Sequence, residues 1–71
     1  MQYQINLTAR QRPEVLERIL RVVRHRGFSV QAMEMRVQDN QVQLHLSVQS
    51  ERALDLLINQ LVKLPDVLSI E

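Results

Sequence analysis

The side chains able to do chemistry in this chain are few and dispersed. His25 stands among arginines in an amphipathic run, and His45 occupies a polar position of an alternating run. Neither has a carboxylate at a supporting spacing, so they form no general acid–base pair and no metal-ligand pattern. Asp39, Glu51, Asp55, Asp66 and Glu71 follow no ligand spacing either. Gly27 is the only glycine, which excludes a glycine-rich phosphate loop. The absence of cysteine removes disulfides, thiolate metal sites and a cysteine nucleophile together. These residues do not describe a chain that catalyses alone.

Arginine is the distinctive side chain. Six of the nine basic residues lie between positions 10 and 26, whereas beyond position 38 the acids outnumber Arg52 and Lys63. Arg18, Arg21 and Arg24 recur at i, i+3 and i+6 and share one helix side, with Glu14 and Glu17 spaced to pair with Arg18 and Arg21. Such a face is either a solvated, salt-bridged surface or a docking site for an acidic partner, since arginine is enriched at interfaces. A nucleic-acid partner is not expected. An RNA-recognition sheet needs aromatics on strands one and three, and here the third offers glutamine, His45 and Ser47.

The elements that position these residues read clearly from periodicity. Tyr3, Ile5, Leu7 and Ala9 alternate with Gln2, Gln4, Asn6 and Thr8, the pattern of a strand buried on one face. Pro13 suits a first helical position, with Glu14 and Glu17 complementing the helix dipole. Val15, Leu16, Ile19, Leu20, Val22 and Val23 carry helical spacing, and basic Arg24, His25 and Arg26 followed by Gly27 make a stop. In the next strand Phe28, Val30 and Ala32 share one phase while Met33, Met35 and Val37 share the other. That slip implies a β-bulge near Gln31–Ala32 or an edge strand apolar on both faces, and either way a strand open to pairing with another chain. Asp39-Asn40 reads as a hairpin turn. Val42, Leu44, Leu46 and Val48 give the third strand, Ser50 a cap for a second helix with Glu51 in its first turn. Leu54, Leu57, Ile58 and Leu61 form that helix's stripe, widened by Ala53, Leu56 and Val62. Pro65-Asp66 ends it, and Val67–Ile70 is a last strand.

The order βαββαβ, with right-handed crossovers, predicts an α+β ferredoxin-like domain spanning residues 1–71: a four-stranded antiparallel sheet with two helices on one face. No run approaches a membrane span, so neither a membrane nor an exported location is expected, and the cytoplasm is.

Two segments carry a family resemblance. Leu16 to Val30, Leu-Glu-Arg-Ile-Leu-Arg-Val-Val-Arg-His-Arg-Gly-Phe-Ser-Val, resembles the ACT domains of acetolactate (acetohydroxyacid) synthase small subunits, which show a leucine, an arginine two residues on, an apolar run and Arg-Gly-Tyr/Phe-x-Ile/Val. Gln60-Leu61-x-Lys63-Leu64-x-Asp66-Val67 is similar to the family's Gln-Leu-x-Lys-Leu-x-Asp-Val. The nearest form is the short, single-ACT subunit of the isozyme II type. The resemblance implies a non-catalytic regulatory subunit that binds and activates a large catalytic subunit in branched-chain amino acid biosynthesis. Thiamine diphosphate, magnesium and FAD would belong to that partner. The alternative is a free-standing ACT-like amino-acid-sensing domain.

In valine-sensitive relatives the effector lies between the loop after strand one and a neighbouring chain, and the loop reads Asn-x-x-Gly-Ala-Leu. The matching positions here are Gln11, Glu14, Val15 and Leu16, with Ser29 and Val30 as further pocket positions by resemblance. Only the leucine is kept. Glu14 sets a bulky carboxylate where the family's glycine admits the ligand carboxylate to a helix N-terminus. A degenerate pocket with weak or no valine response is therefore expected. Met33 and Met35 are expected to serve a homodimer through strand two, and Arg18, Arg21 and Arg24 to dock the partner.

Overall fold

The computed structural model describes residues 1–71 and contains the six expected elements: β1 (Gln2–Arg10), α1 (Val15–His25), β2 (Ser29–Gln38), β3 (Gln41–Gln49), α2 (Leu54–Leu61) and β4 (Val67–Ile70). The strands form one antiparallel sheet in the order β2-β3-β1-β4, so the first and third strands are central and β2 and β4 are edges. This is the ferredoxin-like βαββαβ arrangement that the element order implied.

Alternation decides which face is dry. Ile5, Leu7 and Ala9 stand opposite Leu46, Leu44 and Val42, and all six are buried beneath the helices. Helix α1 contributes Val15, Ile19 and Val23, one stripe at i, i+4 and i+8, and α2 contributes Leu57 and Leu61. Leu16, Leu20 and Val22 of the same apolar spacing are half-buried and pack against the core beside that stripe. Leu56 and Val62, expected to widen the α2 stripe, are exposed instead. The core is aliphatic apart from Phe28, whose ring meets half-buried Tyr3 at a centroid distance of 6.2 Å. Full burial of each leucine, isoleucine or valine stabilises by about 1.5–3 kcal/mol, which makes this small set the main support of the fold.

Gly27 closes α1 as expected. Its φ of +85° places it in left-handed space, and Gly27 N–H donates to the Arg24 carbonyl while Phe28 N–H donates to that of Val23. Those two bonds and the burial of Phe28 against Val23 make a Schellman stop.

The slip in β2 is a bulge. Val30 pairs with Val48 and Ala32 with Ser47, leaving Gln31 as the extra residue. Val30, Met33, Met35 and Val37 consequently all stand beside core residues of β3, on the helix side of the sheet. Only Ala32 of the apolar set turns to the other face.

Two helix starts differ from the sequence reading. Pro13 lies in a turn and α1 begins at Val15, with Glu14 as its N-cap and Glu17 as the acid of its first turn. Pro13 has no N–H to give, and Val15 N–H closes a tight turn onto the Arg12 carbonyl at 3.2 Å. Ser50 does not cap α2, which starts at Leu54 after Ala53 and has Asp55, not Glu51, in its first turn. Its hydroxyl instead donates to the Gly27 carbonyl at 2.8 Å and accepts the Arg52 N–H at 3.0 Å. A carbonyl at the end of α1 has outcompeted the helix that follows, because it lies within reach of the nearly buried serine.

Candidate functional site

The loop between β1 and α1 is pinned on both sides. Gln11 N–H donates to the Asn40 carbonyl at 2.9 Å, fastening it to the β2–β3 turn. Arg10 N–H donates to the Asp66 carbonyl at 2.8 Å, and Arg12 Nε meets Asp66 Oδ1 at 3.0 Å, fastening it to the α2–β4 turn. Asp66 is almost buried while Arg12 is half exposed, so the carboxylate leans on this one cation. Nothing in the sequence linked the two residues; only the fold brings them together.

Of the loop positions matched to an effector pocket, Gln11 is exposed, Glu14 and Leu16 are half-buried and Val15 belongs to the core. Glu14 stands at the N-cap with its side chain making no cap hydrogen bond. Ser29 and Val30 lie at the opposite end of the sheet. Ser29 pairs with Gln49, which pairs with Gln2, whereas the loop follows Arg10 at the other end of β1. One chain therefore holds the two halves of such a pocket apart. A site that used both would need the loop of one chain and β2 of another.

Ser29 and Val30 instead line a groove of about 690 Å³ between α1 and β2, together with Met33, Leu20, Arg21, Arg24 and Glu17. Its floor is apolar and its rim is ionic. The expected Glu14–Arg18 and Glu17–Arg21 pairs do not form, and the only ion pair of the chain is Arg12–Asp66. Glu17, Arg18, Arg21 and Arg24 are thus exposed charges without partners. On β2 the apolar row remains open to solvent: Val30 is 36% exposed, Met33 40%, Met35 51% and Val37 51%.

The face of the sheet away from the helices is polar, and there sequence reasoning missed a network. His45 Nε2 lies 2.8 Å from Gln4 Oε1, its Nδ1 meets the side-chain oxygen of Asn6, and Gln4 Nε2 donates to Ser47 Oγ at 3.1 Å. His45 is half-buried and held, not loosely solvated. The register that sets Asn6 beside His45 and Gln4 beside Ser47 was the missing information. No group of three histidine, aspartate or glutamate side chains converges anywhere in the chain.

Comparison with known proteins agrees with this geometry. The ACT domain family profile matches residues 11–70. Acetolactate synthase isozyme 2 small subunit of Escherichia coli K12 is 52% identical over 69 residues, covering 94% of this chain and 79% of that protein. A putative uncharacterized protein of Haemophilus influenzae is 57% identical over 56 residues, 79% of this chain and 21% of its own length. Among solved structures, the ACT domain of a Chlorobium tepidum GTP pyrophosphokinase superposes with a TM-score of 0.86 at 15% identity, covering all of this chain and 95% of that one. Acetolactate synthase small subunit from Thermotoga maritima gives 0.85 at 15% identity, covering all of this chain and 46% of that one. These two structures carry the fold, and the sequence identity carries the family. The chain belongs to the ACT-domain small subunits of acetolactate synthase, a regulatory and not a catalytic chain.

Proposed function

We propose that this chain activates the large, thiamine-diphosphate-dependent subunit of acetolactate synthase in branched-chain amino acid biosynthesis, in the cytoplasm, with little or no feedback by valine. Identity of 52% across nearly the whole chain to a small subunit of that enzyme supports the partnership. Glu14 is the observation that carries the insensitivity. It occupies the N-cap of α1, where a ligand carboxylate would need open N–H groups and no neighbouring negative charge. The pinning of the loop by Arg12–Asp66 and Gln11–Asn40 adds to this, since a loop with several anchors has little freedom to open for a ligand.

Activation without chemistry is a matter of differential contact: the small subunit raises activity by as much as it binds the competent state of its partner better than other states. Docking through Arg18, Arg21 and Arg24 fits the acidic surface that their unpaired guanidinium groups would select. The functional particle is a homodimer joined through the β2 edges, whose backbone groups and adjacent methionines lie open. Magnesium and FAD, like thiamine diphosphate, belong to the catalytic subunit.

Reconstitution tests this reading. Purified catalytic subunit is assayed for acetolactate formation alone, with this chain, and with this chain plus millimolar valine. Activity should rise on addition of the chain and stay unchanged with valine. No activation would overturn the partnership, and inhibition by valine in the micromolar range would overturn the insensitivity. The second reading, a free-standing sensor, would be favoured by ligand binding without any activation.

A further inference from the structure

We infer that Arg52 is the anchor by which this chain holds its catalytic subunit, its guanidinium taking a carboxylate of that subunit beyond the end of α1. This rests on the activating partnership proposed above and names a residue of the docking surface that lies on neither helix.

Four segments meet at the end of the molecule where α1 stops, and their hydrogen bonds converge on Arg52. Ser50 Oγ donates to the Gly27 carbonyl at 2.8 Å and accepts the Arg52 N–H at 3.0 Å, while Tyr3 OH donates to the Arg52 carbonyl at 3.3 Å. The side chain then runs over Gly27, with Cδ, Nε and Cζ at 3.0, 2.8 and 3.5 Å from the place a Cβ would take. Only a glycine leaves room for it there. The negative end of the α1 dipole favours a cation at this place. The guanidinium is not needed as a cap, because the Val22, Val23 and Arg24 carbonyls already accept the amides of Arg26, Phe28 and Gly27, and the Gly27 carbonyl accepts Ser50. Arg52 is thus placed but unused: it is exposed, and it meets no carboxylate of this chain. An arginine whose backbone and stem are already fixed loses little freedom on binding, and its planar fork fits a carboxylate with two parallel hydrogen bonds.

The surroundings select the sign and the source of what it binds. Arg24 and Arg26 stand just before Gly27 and are likewise exposed and unpaired, with Glu51 the one acid beside Arg52 in sequence. Arg18, Arg21 and Arg24 lead along α1 toward this end, so Arg26 and Arg52 continue the basic face past the helix and onto the loop before α2. A second copy is a poor occupant, since it would bring the same cations to the contact. The β2 edge used by the proposed homodimer is also separated by β3 from β1, whose Tyr3 holds Arg52. The occupant is an acidic surface of the catalytic subunit, continuous with the one that the α1 arginines address.

The test titrates purified catalytic subunit with the whole chain as wild type, Arg52→Gln and Arg52→Lys, reading the concentration that gives half of the full activation. Arg52→Gln should raise that concentration at least about tenfold, the scale of a lost charged hydrogen-bond pair. Arg52→Lys keeps the charge and loses the fork, so it should recover only part of the affinity. The gap between wild type and Arg52→Gln should narrow as sodium chloride is raised from about 0.05 to about 0.5 M, because the contact is ionic. Thermal unfolding is the structural control, and the three midpoints should agree within about 3 °C for an exposed side chain. If Arg52→Gln activates at the wild-type concentration, or if its midpoint falls well beyond that range, the anchor is overturned while the activating role stands. Full recovery by lysine would overturn the bidentate contact, a point charge then being enough. A wild type that gives no activation would remove the partnership itself, and the anchor with it.

Discussion

At the scale of single residues, two contacts at opposite ends of the molecule do different work. Gly27 ends α1 in a conformation that other residues rarely adopt, and an added Cβ would stand 2.8 Å from Nε of Arg52, which lies across it. This was legible in the sequence: one glycine after three basic residues at the end of an apolar periodicity has few other meanings. Arg12–Asp66 was not legible, since no local rule joins a loop arginine to a carboxylate most of the chain away. Its role is to hold the β1–α1 loop, so its removal should be felt there. Arg12→Ala leaves a nearly buried carboxylate without its cation. The cost should be about 1–2 kcal/mol, toward the low end of charged hydrogen bonds because the arginine is half exposed. Urea unfolding checks the magnitude. Amide exchange should show faster opening at Gln11 and Val15 with β3 unaffected, and uniform loss of protection would mean that the pair supports the whole fold and not the loop.

At the scale of elements, β3 and β1 were readable because alternation and burial coincide in them, each having one dry and one wet face. Helix starts were less readable. Pro13 and Ser50 both have the residue types of a helix N-terminus, yet a tight turn claims the first and the end of α1 claims the second. Strand β2 was half readable, its phase slip announcing a bulge without saying which face gained. The bulge at Gln31 brings Phe28 and Val30 into phase with Met33, Met35 and Val37. Deleting Gln31 would only regularise the strand and leave these faces as they are, because Val30 and Ala32 already pair with the consecutive Val48 and Ser47, so the row is tested by Met33→Gln with Met35→Gln instead. All ten residues of β2 are exposed, so the monomer should lose only about 1–2 kcal/mol. The homodimer proposed above, which would use the lost row, should be abolished in sedimentation velocity. A double variant that dimerises normally would show that the apolar row plays no part in association.

At the scale of the whole molecule, the sheet order follows from the element order through crossover handedness, which is why the fold was legible before any contact was known. What the sequence of one chain left unwritten is what lies beyond it: the open apolar row of β2 would find its cover only in the homodimer proposed above. Size points the same way. Only 15 of 71 residues are buried, and a domain this small buries about 60% of its extended-chain surface, leaving little margin for a monomer. If association supplies part of the stability, unfolding must obey mass action: the dimer is favoured as concentration rises, while the unfolded chain gains nothing. Each tenfold increase is worth about 1.4 kcal/mol per dimer, half of that per chain, which for a domain of this length corresponds to roughly 3–5 °C in the midpoint. Thermal scans at 5, 50 and 500 µM (about two decades) should therefore show a rising midpoint for the wild type, with curves that coincide at all wavelengths. The Met33→Gln, Met35→Gln chain should show a nearly constant midpoint. A wild-type midpoint independent of concentration would mean that the folded chain owes nothing to its copy, and that the exposed row on β2 awaits the catalytic subunit instead.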